Sequence, residues 1–290
     1  METMEMDSLD QFLSQLITAF HILHQHEVID EHGQISVRNP RDPSTFFTSS
    51  RPAILVSSKS DLEQWHVFDG TPVRNPYAGC RKVESVPEQS EHYTHSSIYF
   101  RYPGVRSIIH SHCRAAIIYG LCDSEVSMLQ PSYLMAGFLG PSPPIFDPSK
   151  YYDALPPSQP QNLMVNCQYL GDALAEALYR GRDGEMRLDG VSSHDLPRHK
   201  VIFQRGHGYT VWAESVEDAV WRAIHVRRDA DIQTAAVMQR ATSEQNIVYL
   251  SGKEAVDCDR TINHATYEQW LAWTVAAERS GLYRNLLRPT

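Results

Sequence analysis

The chain has 290 residues, 42% of them apolar, with a net charge of −9 and a pI near 5.8. That is enough apolar residue for a sizeable core, and the acidic balance argues against a nucleic-acid partner, which would need a basic face. No run of about 18 apolar residues exists to span a membrane, and the acidic start from Met1 to Asp10 does not resemble a signal peptide.

Ser8 to His24 carries Leu9, Phe12, Leu13, Leu16, Ile17, Phe20 and Leu23, the spacing of an amphipathic helix with Ser8 as N-cap. Gly33 to Arg38 reads as a turn into a strand. Thr45–Thr48 and Ala53–Val56 read as short strands broken by Arg51-Pro52, and Asp69-Gly70 as a turn after a strand at Trp65–Phe68. A helix is expected over Ser90–Tyr102, ended by Pro103-Gly104.

Val105, Ile108 and Ile109 then mark a buried strand, followed by a helix from Arg114 to Leu121. Pro131 to Pro160 reads as loop around short strands, Leu163 to Arg180 as helix, and the polar stretch Gly181 to His199 as an exposed loop. Val201–Phe203 and Tyr209–Trp212 are strands. Ser215-Val-Glu-Asp218 resembles a capping box opening a long helix to Gln239. Ile247–Leu250 reads as extended and Tyr267–Gly281 as a last helix. Strands and helices alternate without repeats or long linkers, which predicts one α/β domain over 1–290 with a central sheet. Its core is expected at about 8–240, with a helical extension over 241–290.

Inside the buried strand, His110 and His112 are two residues apart and therefore face the same way. Such a pair is a metal half-site or two ordinary strand histidines. Gly206-His207-Gly208 places a third histidine where the backbone turns sharply, as a ligand or a simple turn. Glu91, at the expected helix start, is a base, a ligand, or a solvated carboxylate favoured by the helix dipole. Tyr133, in an apolar stretch, is a proton donor or a packed ring. Five cysteines without CxxC spacing read as free thiols of a reducing compartment, so a cytoplasmic globular protein is expected. Cys113 should face away from the histidines. His194 and His199 read as solvated, and Asp229 and Asp231 with Arg227 and Arg228 as a mixed charged helix face.

Taken together, Glu91…His95…Tyr99…Pro103…His110-Ser-His112, Arg205-Gly-His207-Gly208 and Ser215-Val-Glu-Asp-Ala219-Val closely resemble the class II aldolase/adducin family. The resemblance covers about residues 8–240 in consistent order. It implies a three-layer αβα fold with a mostly antiparallel sheet, and a homotetramer with sites between subunits. It also implies a divalent metal on His110, His112 and His207, with Zn²⁺ first and Mn²⁺ or Fe²⁺ as alternatives. Glu91 is the implied acid/base, and Tyr133 the implied proton donor reaching a neighbour's site, although the spacing around Tyr133 departs from the fuculose-phosphate aldolase pattern. His95 matches a family position near the site.

The implied chemistry is a metal-dependent carbon–carbon lyase acting through an enediolate or phenolate-type carbanion, with Glu91 moving the proton. Where the family's aldolases hold phosphate, this chain reads Gly33-Gln34, Ser50-Arg51 and Gln89-Ser90. Gln34, Arg51 and Ser90 are accordingly the candidate substrate-binding residues for a small non-phosphorylated hydroxy-acid or hydroxy-ketone. With Met135-Ala-Gly-Phe-Leu-Gly140, and with counterparts for Tyr249-Leu-Ser251, Trp270 and Trp273, the chain most resembles the branch holding hydroxylated aromatic acid decarboxylases. That branch also holds non-haem iron enzymes acting on hydroxyphenyl acids, so an Fe²⁺ oxygenase is an alternative. A sugar-phosphate aldolase or epimerase and a non-catalytic adducin-like scaffold are the others.

Overall fold

The long amphipathic stretch at the start of the chain folds as expected, into α1 (Ser8–Gln25). Its apolar stripe, with Leu13, Leu16, Ile17 and Phe20 fully buried, lies against one face of a seven-stranded sheet. The computed structural model describes residues 8–74, 77, 79–82, 91–141, 143–179, 196–240, 246–262 and 266–288. Four elements follow α1 in the order β1 (Gln34–Arg38), β2 (Thr45–Thr48), β3 (Glu63–His66) and α2 (His92–Arg101). Next come β4 (Ser107–Ser111), the single turn α3 (Arg114–Ile117), β5 (Ile145–Phe146) and α4 (Gln168–Ala177). The chain then forms β6 (Val201–Gln204), β7 (Gly208–Ala213), the 25-residue α5 (Val216–Arg240), α6 (Gly252–Ile262) and α7 (Thr266–Arg279).

The strands are ordered β3-β2-β1-β4-β7-β6-β5, and every pairing except β5–β6 is antiparallel. The two faces of the sheet, reached by alternate residues of its strands, line two separate cores. Ile35, Val37, Phe47, Ile109 and Val211 meet α1 and α5 on one side. Phe46, Ile108, Ile202 and Trp212 meet Ile98 of α2 and Leu170 and Leu174 of α4 on the other. This is a three-layer αβα arrangement. In α7, Trp270 joins the α1/α5 side, so the C-terminal helices pack on the same layer.

Two expectations change. Ala53–Leu55 is a 3₁₀ turn, not a strand: Pro52 starts it, its carbonyl accepts from the Leu55 amide at 2.8 Å, and Ile54 and Leu55 face outward. The helix expected from Leu163 begins at Gln168, because Leu163 takes a left-handed backbone (φ 66°) that a helix cannot contain. Ile247–Leu250, expected as an extended piece, joins no strand of the sheet. Helix α6 follows it, opened by a reciprocal Ser251/Glu254 capping box. The Gly181–His199 loop lies mostly outside the described residues.

Candidate metal centre

In the central strand β4, Ile109 points to the α1/α5 core while Ile108, His110 and, just past the strand, His112 point to α2. His110 is 1% exposed and sits between Gln34 of β1 and Thr210 of β7 in register. The β6–β7 hairpin turns through Gly206, whose left-handed backbone (φ 66°) swings His207 beside the strand end. As a result the Nε2 atoms of His110 and His112 are 3.1 Å apart, and those of His112 and His207 3.0 Å.

Glu91 occupies the N-cap of α2 but makes no side-chain cap hydrogen bond. Its buried carboxylate turns inward, with Oε2 2.9 Å from His110 Nε2 and Oε1 3.2 Å from His207 Nε2. The four candidate ligand atoms all lie within 4.8 Å of one another. Burial would raise the Glu91 carboxyl, but the His110 ring at hydrogen-bond distance opposes this and lowers it, to about 2. Burial and the His110 ring lower His207 to about 4, and His112 moves the same way, so these rings are neutral at neutral pH with lone pairs free for a cation.

Three Nε2 atoms this close repel one another unless protons or a cation lie between them. Tetrahedral coordination at about 2.0–2.1 Å sets ligand nitrogens about 3.3 Å apart. The donor set, three imidazoles and a carboxylate, therefore fits a divalent ion and is compatible with Zn²⁺, Mn²⁺ or Fe²⁺.

The outer contacts of the rings are specific. Thr210 Oγ1 and the Gln204 amide both lie 3.1 Å from His110 Nδ1, and Asp30 Oδ1 lies 3.1 Å from His112 Nδ1. Neither Asp30 nor Gln204 was expected from the sequence. Around His95, Ser36 Oγ is 2.7 Å from Nδ1, while His92 stacks on Trp65 at 4.5 Å, so both flanking histidines pack.

A cleft of about 330 Å³ opens on Glu91, His112 and His207, with Gln34, Ser50 and Arg51 on its wall. One edge of the Arg51 guanidinium pairs with Asp61, which also accepts from the amides and hydroxyls of Ser57 and Ser58. Ser50 Oγ donates to Glu63 at 2.6 Å. Ser90 lies outside the described residues. A larger cavity of about 780 Å³, lined by Phe138, Phe146, Lys200 and Asp259, contains none of the four cluster residues.

Tyr133 is not brought to the cluster within its own chain. It packs on the α1/α5 side, its hydroxyl 2.5 Å from His225 Nδ1 of α5. Cys113 also packs on that side, away from the histidines as expected. Asp229 does not belong to a solvated face: it is fully buried, and its Oδ1 accepts from the amide (2.9 Å) and hydroxyl (2.5 Å) of Ser132. His194 lies outside the described residues.

Residues 14–234 match the model of the class II aldolase and adducin N-terminal domain. The chain belongs to the class II aldolase/adducin family. A relative from Talaromyces stipitatus, the decarboxylase tropJ, is 32% identical over 277 residues, covering 93% of this chain and 95% of that one. Among solved structures, the L-fuculose 1-phosphate aldolase of Glaciozyma antarctica superposes with a TM-score of 0.63 at 15% identity, over 98% of this chain and 96% of that chain. An aldolase II superfamily protein of Pseudomonas syringae gives 0.62 at 17% identity, with 96% of each chain covered. At these identities the structural likeness carries the family fold. Among the described residues, no helix is long and apolar enough to cross a membrane.

Proposed function

We propose that this class II aldolase-family chain is a divalent-metal-dependent decarboxylase of a small, non-phosphorylated hydroxy-acid. The observation that carries the reading is the convergence of Glu91 with His110, His112 and His207 at the mouth of a cleft walled by Arg51. The similarity to a decarboxylase over nearly the whole chain favours loss of CO₂ over retro-aldol cleavage. In this reading the three histidines and, in the resting site, Glu91 hold the ion, with Zn²⁺ the first candidate. When bound, the metal supplies a Lewis acid that draws electron density from substrate oxygens.

The remaining roles fall to side chains. Arg51, held by Asp61 on one edge, presents its other N–H groups to the substrate carboxylate. Glu91 is ionised and buried, so it accepts a proton before it can deliver one. In a substrate whose hydroxyl is phenolic or enolic, it takes that hydroxyl proton and returns it to the unsaturated carbon bearing the carboxylate. The carbon–carbon bond then breaks, CO₂ leaves, and the bond's electron pair passes through the ring or enol to the former hydroxyl oxygen.

The cleft volume is at the small end of the range for small-molecule pockets. Its wall also carries Glu31 and Glu91, which disfavour a phosphate dianion. All five thiols are unpaired, which suits a reducing compartment, and a cytoplasmic homotetramer is the assembly this reading carries.

The test is CO₂ release from a panel of ortho-hydroxylated aromatic acids and enolic aliphatic hydroxy-acids, with sugar phosphates run in parallel. Turnover of a hydroxy-acid, abolished by chelation and restored by metal, is expected. Glu91→Gln should lower kcat by about 10²–10⁴-fold. Cleavage of sugar phosphates alone would overturn the reading.

A further inference from the structure

The turn between α1 and β1 makes a contact with the cluster that its sequence position does not suggest. Asp30 Oδ1 accepts the backbone amides of His32 (3.0 Å) and Gly33 (2.8 Å), which closes the turn and fixes the carboxylate. The same oxygen lies 3.1 Å from His112 Nδ1. A carboxylate oxygen can only accept, so this contact requires the proton of His112 on Nδ1. The Nε2 lone pair then faces the cluster, 3.1 Å from His110 Nε2 and 3.0 Å from His207 Nε2.

One further contact locks this turn to the metal strand, and a second tightens the turn itself. Ser111, on the opposite face of β4 from the histidines, donates its hydroxyl to the Val28 carbonyl at 2.5 Å. Gly33 lies so close to Ile29 that a Cβ there would stand 2.8 Å from the Ile29 Cβ. The turn is therefore tight, and the position of Asp30 relative to β4 is set by packing as well as by hydrogen bonds.

We infer that Asp30 is a positioning residue for the metal centre, acting through His112: its carboxylate selects the Nδ1–H tautomer, orients the ring and raises the basicity of Nε2. The inference rests on the metal-centre reading. It gives Asp30 two separable tasks, since the turn needs only an acceptor whereas the imidazole responds to the negative charge.

The test uses the full-length protein stripped of metal and titrated with Co²⁺, read by visible absorption and by competition with a chelator of known affinity. The His112 tautomer is read by ¹⁵N NMR. Asp30→Ala should weaken Co²⁺ binding by about 10–100-fold and shift the His112 tautomer population. Asp30→Asn keeps an acceptor for the His32 and Gly33 amides. It should restore the thermal stability of the metal-free protein yet leave Co²⁺ binding weaker than wild type. A purely structural role would be rescued by Asn in both readouts, and that result would overturn the inference. So would wild-type affinity and tautomer in Asp30→Ala. Wild-type protein that binds no Co²⁺ at all would instead overturn the metal-centre reading itself.

Discussion

Gly208→Ala tests whether the geometry of the centre depends on close contact between two backbones. Gly208 opens β7 directly after His207, beside the end of β4. A Cβ at this position would lie 2.0 Å from the Ser111 carbonyl oxygen, 3.0 Å from its carbon and 3.3 Å from the His112 Cα. All three atoms are main chain, so no rotamer change relieves the clash. Bringing the carbon–oxygen pair to an ordinary contact of about 3.3–3.5 Å requires a relative shift of more than about 1 Å. That shift acts on the segment holding His112 and the turn holding His207, whose Nε2 atoms are 3.0 Å apart.

Metal sites tolerate about ±0.2 Å in ligand distance. The expected loss of Co²⁺ affinity is therefore at least on the order of 100-fold, the upper limit for removing an outer hydrogen bond. Overpacking of this kind costs about 3 kcal/mol, or roughly 6–10 °C in the Tm of the metal-free protein. Gly206→Ala is the control. Its φ of 66° makes a side chain strained, by about 1–2 kcal/mol, but the nearest foreign atom is the flexible Leu163 Cδ1 at 3.3 Å. It should lose some stability and keep Co²⁺ affinity within about threefold, since no ligand-bearing backbone has to move. Wild-type Co²⁺ binding in Gly208→Ala, or an equal loss in Gly206→Ala, would show that this backbone contact does not set the ligand geometry.

Three further outcomes are expected. Arg51→Ala should raise KM for a hydroxy-acid substrate by about 10–100-fold while metal content stays at the wild-type level, and Arg51→Lys should restore little of it. Burial raises the Asp229 carboxyl from 3.8 to about 6 despite its hydrogen bonds from Ser132. A raised acid favours the fold below its unfolded value and loses that contribution as pH rises through about 6, so Asp229→Asn should stabilise at pH 8 by up to about 3 kcal/mol, with the gain shrinking toward pH 5.5, as read by urea unfolding. Burial lowers His92 and His225 to about 4 and His95 to about 3, from 6.5. The unfolded chain thus binds more protons between pH 6.5 and about 4, and stability falls with pH across that window by about 3 kcal/mol per histidine. Three histidines outweigh one aspartate, so Tm should drop steeply there; a flat Tm would contradict the burial argument.

What the sequence showed and what it hid separate by range. His110 and His112 share a strand face because of a two-residue period, and the glycines around His207 mark a hairpin, so both were legible locally. The inward turn of the Glu91 carboxylate was not, since a helix-start glutamate reads the same whether it caps the helix or faces a cluster. Asp30 was hidden for a different reason. Asp30-Glu-His-Gly33 is a recognisable turn, but its target, His112, is 82 residues away and reaches it only because β1 pairs with β4. The apolar run at Ala53–Val56 resembled a strand until Pro52 imposed a 3₁₀ turn. Within the helical extension expected over 241–290, the bounds of α6 were not legible from its two buried residues, Ala255 and Ile262; its Ser251/Glu254 capping box was the available signal. Likewise Asp229 sits among Arg227, Arg228 and Asp231 in sequence, and only the packing of Ser132 on α5 reveals it as buried.

The most direct measurement is the metal content of protein purified without added metal, for wild type and His110→Ala, with wild type also reconstituted anaerobically. About one divalent ion per wild-type chain and little in the variant is expected, since the variant loses one of three imidazole ligands. Stoichiometric iron with substrate-dependent oxygen uptake would move the chemistry to an oxygenase. Absence of bound metal in wild type, both as purified and after reconstitution, would contradict the central claim.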